Sequence, residues 1–376
     1  MTTPDAPALP LRPELADEVP YGAPQLDVPV LLNVNENPYA PSPDVVATIA
    51  ERVATAAGTL NRYPDRDFPA LRADLADYLS VESGVRLAAE QIWAANGSNE
   101  VMLHLLQAFG GPGRTAVSFA PTYSMYPEYA RDTHTRWVTG RRAQDFTVDP
   151  ESAVALIEAE RPSVILLASP NNPTGTALPQ ATIRAVLDAV ARVPAVVVVD
   201  EAYAEFRRAG TPSALELLDR YPLLAVTRTM SKAFAAAGLR LGYLAASTAL
   251  VDALRVVRLP YHLSAVTQAT ARAALEHRDS LLAQVADLRA ERDGLVAWLQ
   301  RQHVSGRPFQ VAETDANFVL FGTFPDRHAV WRGLLERGVL IRETGPDGWL
   351  RVSVGTPEET RAFKDALLDV IDQEEQ

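Results

Sequence analysis

Along most of this chain, short apolar runs alternate with longer stretches of helical periodicity. The apolar runs lie at 115–119, 163–168, 195–199, 223–227 and 241–245. Each is rich in small or β-branched residues and ends in polar or turn residues, which predicts a buried strand. Helical segments such as 178–192 intervene. That alternation predicts a largely parallel α/β sheet with right-handed crossovers. Sites in such sheets sit at the carboxyl ends of the strands.

The pattern changes near residue 260. Leu259-Pro260-Tyr261 precedes a long helical region over 264–302, with paired charges above a core stripe. A strand at 317–321, a helix at 326–337 and strands at 339–342 and 349–354 follow. The last helix opens on Thr356-Pro357-Glu358-Glu359, a capping box with proline at the first helical position. At the other end, residues 1–40 hold eight prolines: Pro4, Pro7, Pro10, Pro13, Pro20, Pro24, Pro29 and Pro38. Proline fixes φ and removes a donor, so this segment reads as extended. Residues 1–15 are a free tail or an arm on a neighbouring surface; 20–40 read as the arm. The expected organisation is an N-terminal arm (1–40), a large domain (41–260) and a smaller α+β domain (261–376).

Composition narrows the chemistry. With 376 residues, two domains and a sizeable core are within reach. The net charge of −12 argues against broad nucleic-acid binding. Cysteine is absent, which excludes a disulfide scaffold, a cysteine nucleophile and Cys-containing zinc sites. No His-Glu-x-x-His run occurs, and no metal is expected. No apolar stretch reaches the ~18 residues of a membrane span. The N-terminus lacks the basic start and apolar core of a secretory signal, so the expected compartment is the cytoplasm.

One count matters more than the total charge. Of 35 basic residues, 33 are Arg and two are Lys, Lys232 and Lys364. Arg stays protonated and cannot act as an amine nucleophile. Lys364 reads as solvated on the last helix. Lys232 follows a predicted strand, in Arg228-Thr229-Met230-Ser231-Lys232-Ala233-Phe234, among small and apolar neighbours that depress an amine pKa. It is either a survivor in an Arg-rich chain or an amine placed for Schiff-base chemistry.

Four more features end strands or open helices. Asp200 closes Val196-Val197-Val198-Val199-Asp200, a costly place for an acid without a cationic partner. It caps a helix, binds a metal (the weaker option) or pairs with a protonated ring nitrogen. Asn172 lies in Ser169-Pro170-Asn171-Asn172-Pro173-Thr174-Gly175, either a plain loop or a rigid mount for a ligand bond. Asn96-Gly97-Ser98-Asn99-Glu100 opens the amphipathic run 101–109, and amides at such a start attract anions. Tyr123, in Pro121-Thr122-Tyr123-Ser124-Met125-Tyr126, packs in the core or stacks on an aromatic ligand. Gly110-Gly111-Pro112-Gly113 follows a helix and reads as its stop.

Taken together, these stretches resemble the fold-type I pyridoxal-phosphate (PLP) enzymes and, within them, the histidinol-phosphate aminotransferases. Leu32-Asn33-Val34-Asn35-Glu36-Asn37-Pro38, Arg62-Tyr63-Pro64-Asp65, Gly238-Leu239-Arg240, Ala316-Asn317-Phe318-Val319-Leu320 and Leu350-Arg351-Val352 extend the likeness across about 20–356. The resemblance implies that Lys232 carries the cofactor and shuttles the substrate proton. It implies that Asp200 pairs with the pyridinium nitrogen, while Asn172 and Tyr203 bond the ring's 3′ oxygen. Tyr123 would stack on the ring; Ser98, Asn99, Thr229, Ser231 and Arg240 would hold the phosphate. Asn99 stands where relatives often carry Asp. A homodimer with shared active sites is implied, with Tyr63 reaching the partner subunit's cofactor phosphate. Tyr21 would cover the substrate. Arg342 and Arg351 would take the anionic tails of both substrates, although ordinary surface arginine is the plain alternative.

The implied reaction converts L-histidinol phosphate and 2-oxoglutarate to imidazole-acetol phosphate and L-glutamate, in histidine biosynthesis. Three other readings stand beside it. They are an aromatic amino-acid aminotransferase, a PLP-dependent decarboxylase of a phosphorylated amino acid, and a non-catalytic binding domain on the same fold. The last would usually lack Lys232 or Asp200.

Overall fold

In the computed structural model, which describes residues 9–304 and 306–374, the five expected strands lie side by side within one seven-stranded sheet. Its strands are β1 (Ile92–Ala95), β2 (Thr115–Ala120), β3 (Arg136–Arg141), β4 (Val164–Ala168), β5 (Val196–Asp200), β6 (Leu224–Thr229) and β7 (Gly242–Ala246). The order across the sheet is β1-β7-β6-β5-β4-β2-β3. Both edges escape the hydrophobic pattern. β1 has only four residues, and β3 is half-exposed with an arginine at each end.

β7 runs antiparallel to both its neighbours; the other pairings are parallel. This reversal matters for the site. Residues just before β7 lie at the same edge where β6 ends, so Arg240 and Lys232 share that edge. Apolar side chains of the sheet and its flanking helices form one large buried cluster, including Trp93, Leu166, Val198 and Tyr243.

A second cluster gathers Leu295, Leu299, Val319, Phe321, Phe363 and Leu367. It lies on a three-stranded antiparallel sheet of Gln310–Val311, Phe318–Gly322 and Leu350–Ser353. The long helix expected over 264–302 is two helices, Ala265–Glu276 and Arg278–Leu299. His277 separates them at φ −105°, ψ 18°, and its N–H bonds the Ala274 carbonyl three residues back. The second helix bridges the clusters: Leu281, Val285 and Leu288 pack into the large one, Leu295 and Leu299 into the small one. The last helix, Pro357–Glu374, opens as the pattern predicts. Thr356 N–H donates to Glu359 Oε2 at 2.8 Å, and Glu359 N–H donates to Thr356 Oγ1 at 3.2 Å.

Of the proline-rich arm, residues 1–8 lie outside the described residues. The rest is extended apart from a turn at Pro13–Leu15, and it lies across its own chain. Glu18 pairs with Arg131 at 2.9 Å. Val30–Leu31 pairs in parallel with Val339–Leu340. Ser353 N–H then bonds the Leu32 carbonyl at 2.9 Å, and Asn35 N–H bonds Ser353 Oγ at 2.9 Å. The arm is thus stitched to the small cluster where that cluster meets the large sheet. Among the described residues no helix is long and apolar enough to cross a membrane.

Gly242 sets the approach of β7 to the helix Ser98–Phe109. A Cβ there would collide with the Ser98 nitrogen and the Gly97 carbonyl carbon, both backbone atoms. Gly242→Ala should therefore cost about 2 kcal/mol, the scale of an overpacked core site. Chemical unfolding measures this; an unchanged midpoint would contradict the close approach.

Candidate active site

The strand ends and the segment before β7 border a cavity of about 630 Å³. Every sequence-predicted site residue except Tyr63 lines it: Tyr21, Ser98, Asn99, Tyr123, Asn172, Asp200, Tyr203, Thr229, Ser231, Lys232, Arg240, Arg342 and Arg351. Tyr63 is exposed and stacks on Tyr261, with ring centroids 4.6 Å apart.

Lys232 follows β6 and is half-buried. Its Nζ donates to the Val34 carbonyl of the arm at 2.9 Å. Removal from bulk water, reinforced by the Arg351 and Arg240 cations, pushes its pKa down to about 8, against the pull of Glu36. Arg351 is buried and held the same way. Its Nη2 donates to the Asn33 carbonyl at 2.8 Å, and its Nη1 donates to Asn172 Oδ1 at 2.5 Å. The guanidinium lies 5.1 Å from the Phe318 ring centroid, and burial lowers its pKa to about 10. Among the described residues neither cation pairs with a carboxylate. Arg342 faces Arg351 across an antiparallel bridge, which sets the two side chains on one side. Both arginines line the cavity; Arg351 is buried and Arg342 half-buried.

Asp200 is buried at the end of β5. Tyr126 Oη donates to its Oδ2 at 2.8 Å, and Thr227 Oγ1 donates to its Oδ1 at 3.1 Å. Burial raises its pKa; the two hydroxyls act in the opposite sense. Among the described residues it is the N-cap of no helix, and no three or more acidic or histidine groups are arranged for a metal.

Tyr203 accepts from Asn35 Nδ2 at 3.1 Å and from Asn172 Nδ2 at 3.4 Å. Both lone pairs of its oxygen are then engaged, and its own O–H remains free to donate. Tyr123 is half-buried, lies 3.5 Å from Asn99 Oδ1 through its hydroxyl, and meets Tyr126 edge-on at 5.6 Å. Above the strands, Tyr21 Oη accepts from Ser124 Oγ at 3.1 Å.

An anion cradle forms at the start of the helix Ser98–Phe109. Gly97, at φ +85°, permits a close approach: a Cβ there would lie 2.8 Å from Arg240 Nη2. Thr229 Oγ1 bonds Ser231 Oγ at 3.1 Å, which places two hydroxyls beside the same cavity. Arg240 adds a guanidinium whose only protein hydrogen bond among the described residues is Nη1 to the Ala237 carbonyl, at 3.1 Å.

Sequence reasoning missed Asn35, Tyr126 and Thr227. Asn35 and Tyr126 lie within stretches that carried the resemblance, but only spatial contact shows what they hold. The carbonyls of Asn33 and Val34 leave no side-chain signal at all.

The family model described as aminotransferase class I and II matches residues 28–367. The chain belongs to the class I and II aminotransferase family. It is similar to relatives named histidinol-phosphate aminotransferase. The one from Thermobifida fusca is 61% identical over 360 residues, covering 96% of this chain and 95% of that one. The one from Bifidobacterium adolescentis is 58% identical over 373 residues, again covering 96% and 95%. Among solved structures, histidinol-phosphate aminotransferase from Sinorhizobium meliloti in complex with pyridoxal-5′-phosphate has a TM-score of 0.78 at 24% identity, over 92% of each chain. That from Clostridium acetobutylicum has a TM-score of 0.80 at 20% identity, over 92% of this chain and 99% of that one. These two structures show the fold.

The two lysines give a direct check of the site's electrostatics. An amine whose folded pKa is lowered is neutral and nucleophilic from that lower pH upward. In protein freed of bound small molecules, amine acylation mapped by peptide mass spectrometry should show Lys232 labelling rise with a midpoint near 8. A midpoint near the ordinary 10.5 would contradict the account.

Proposed function

We propose that this chain is a PLP-dependent aminotransferase exchanging the amino group between L-histidinol phosphate and 2-oxoglutarate, as a step of histidine biosynthesis. The observation that carries the reading is the content of one cavity. It gathers a half-buried amine, a buried carboxylate without a cationic partner among the described residues, an anion cradle and two facing arginines. A phosphorylated ring with a protonated nitrogen and an aldehyde fits that donor set. The cofactor, when bound, supplies an electron sink for the electrons of the substrate's Cα–H bond.

The chain's own residues do the rest. Arg240, Ser98, Asn99, Thr229 and Ser231 bind the phosphate, with the guanidinium fork and the helix start as its charged partners. Asp200 keeps the proton on the ring nitrogen. Tyr203 donates its free O–H to the ring's 3′ oxygen, held there by Asn35 and Asn172. Tyr123 packs on the ring face. Lys232 Nζ would take the Cα proton of the amino donor and, in the reverse half-reaction, supply one to Cα of the amino acid formed from the acceptor; with its pKa near 8 the amine is available as a base just above neutrality. Arg342 and Arg351 bind the anionic tail, which is a phosphate in one substrate and a carboxylate in the other. Tyr21 closes over that tail. The working form is a cytoplasmic homodimer in which the exposed Tyr63 reaches the phosphate site of a second copy. Its exposure and its stacking on Tyr261 support this reading.

One assay series tests the proposal. Histidinol phosphate, phenylalanine and aspartate are compared as amino donors to 2-oxoglutarate, in the wild type and in Arg351→Ala. Histidinol phosphate should give the highest kcat/KM. Arg351→Ala should lose roughly 10- to 100-fold in kcat/KM for donor and acceptor alike, the scale of a charge-assisted bond. Faster turnover of phenylalanine would make this an aromatic aminotransferase. Carbon dioxide release without 2-oxoglutarate would make it a decarboxylase.

A further inference from the structure

Asp200 is gripped through both carboxylate oxygens, and the hydroxyls that grip it have no role in the reading above. Tyr126 opens the helix Tyr126–Asp132 after β2 and is fully buried. Its Oη lies 2.8 Å from Asp200 Oδ2. Between a phenol and a carboxylate the phenol donates, because the ionised acid has no proton to give. Burial and the neighbouring Asp200 charge push the phenol's pKa up, so it stays a donor. Its ring is held edge-on by Tyr123 at 5.6 Å and by Trp137 at 6.5 Å. Thr227 takes the other oxygen at 3.1 Å. The adjacent acid, Glu201, turns to Arg228 at 2.7 Å, and Asp200 is held by these two hydroxyls and the Ala202 backbone N–H.

We propose that Tyr126 is a positioning residue whose hydroxyl fixes the Asp200 carboxylate, in orientation and in charge, toward the cavity. The inference rests on the proposed PLP-dependent function. The donated bond has two consequences. It holds one oxygen so that the carboxylate cannot rotate away from a ring nitrogen. It also makes the carboxylate less basic, so a shared proton stays on that nitrogen instead of passing to Asp200. The hydroxyl therefore acts through Asp200 and touches no reacting atom.

Two ligands separate this from a packing role: PLP itself and its 1-deaza analogue, in which carbon replaces the ring nitrogen. Their affinities are measured for the wild type, Tyr126→Phe and Tyr129→Phe. Tyr129 carries a buried ring three residues further along the same helix, and its hydroxyl makes no hydrogen bond to Asp200. Wild type should bind PLP more tightly than the analogue. Tyr126→Phe should weaken PLP binding roughly tenfold, the scale of one hydrogen bond to a charged group, and leave analogue binding unchanged. Tyr129→Phe should preserve the wild-type preference. Equal losses for both ligands, or no loss for either, in Tyr126→Phe would overturn the positioning role. A wild type without preference for PLP would overturn the Asp200 assignment in the proposed function instead, and the positioning role with it.

Discussion

Two cations lining the cavity are held by carbonyl and amide oxygens rather than by carboxylates, and the site depends on that choice. Lys232 donates to Val34 and Arg351 donates to Asn33, adjacent residues of the same arm. A carboxylate partner would neutralise each charge. A carbonyl fixes geometry but leaves the charge in place. The cost appears as pKa values lowered to about 8 and about 10. The gain is a positive cavity inside a chain of net charge −12, open to anions that the surface as a whole repels. The same two bonds join parts of the fold distant in sequence, since Lys232 leaves the large sheet and Arg351 belongs to the small one.

Topology brings the remaining charges to that point. Parallel strands deliver Asp200 and Lys232 at their carboxyl ends, and the single reversed strand, β7, delivers Arg240 at its start. Gly97 and Gly242 then let the helix Ser98–Phe109 and the Arg240 guanidinium come within contact. The buried charge of Arg228, by contrast, is neutralised by carboxylates. Arg228, on β6, is fully buried with Glu201, Glu205 and Glu82 around it. Among the described residues Arg72 and Arg142 are also held by carbonyls without a carboxylate, but they do not line the cavity; Lys232 and Arg351 line it, so their charge faces a ligand.

Much of this was legible in the chain itself. A count of two lysines among 35 basic residues singled out Lys232, and β-branched runs marked the five contiguous inner strands. The edges were not legible: β1 is too short, and β3 alternates too weakly, with arginine at each end. The break at His277 was hidden because residues on both sides continue the helical pattern. Tyr126 and Thr227 act on Asp200 from 74 and 27 residues away, so no local spacing announces them. Tyr63 marks a different limit. Its expected role belongs to a second copy, and one chain shows only an exposed ring stacked on Tyr261.

The central claim is that Lys232 is the amine that carries the cofactor. Borohydride reduction of the PLP-loaded protein converts an imine link between cofactor and lysine into a stable amine, which peptide mass spectrometry then locates. With only two lysines in the chain, the outcome is unambiguous. The account predicts one cofactor per chain on the peptide containing Lys232 and none on Lys364. A cofactor mass on Lys364 instead, or no covalent label after PLP uptake, would contradict it.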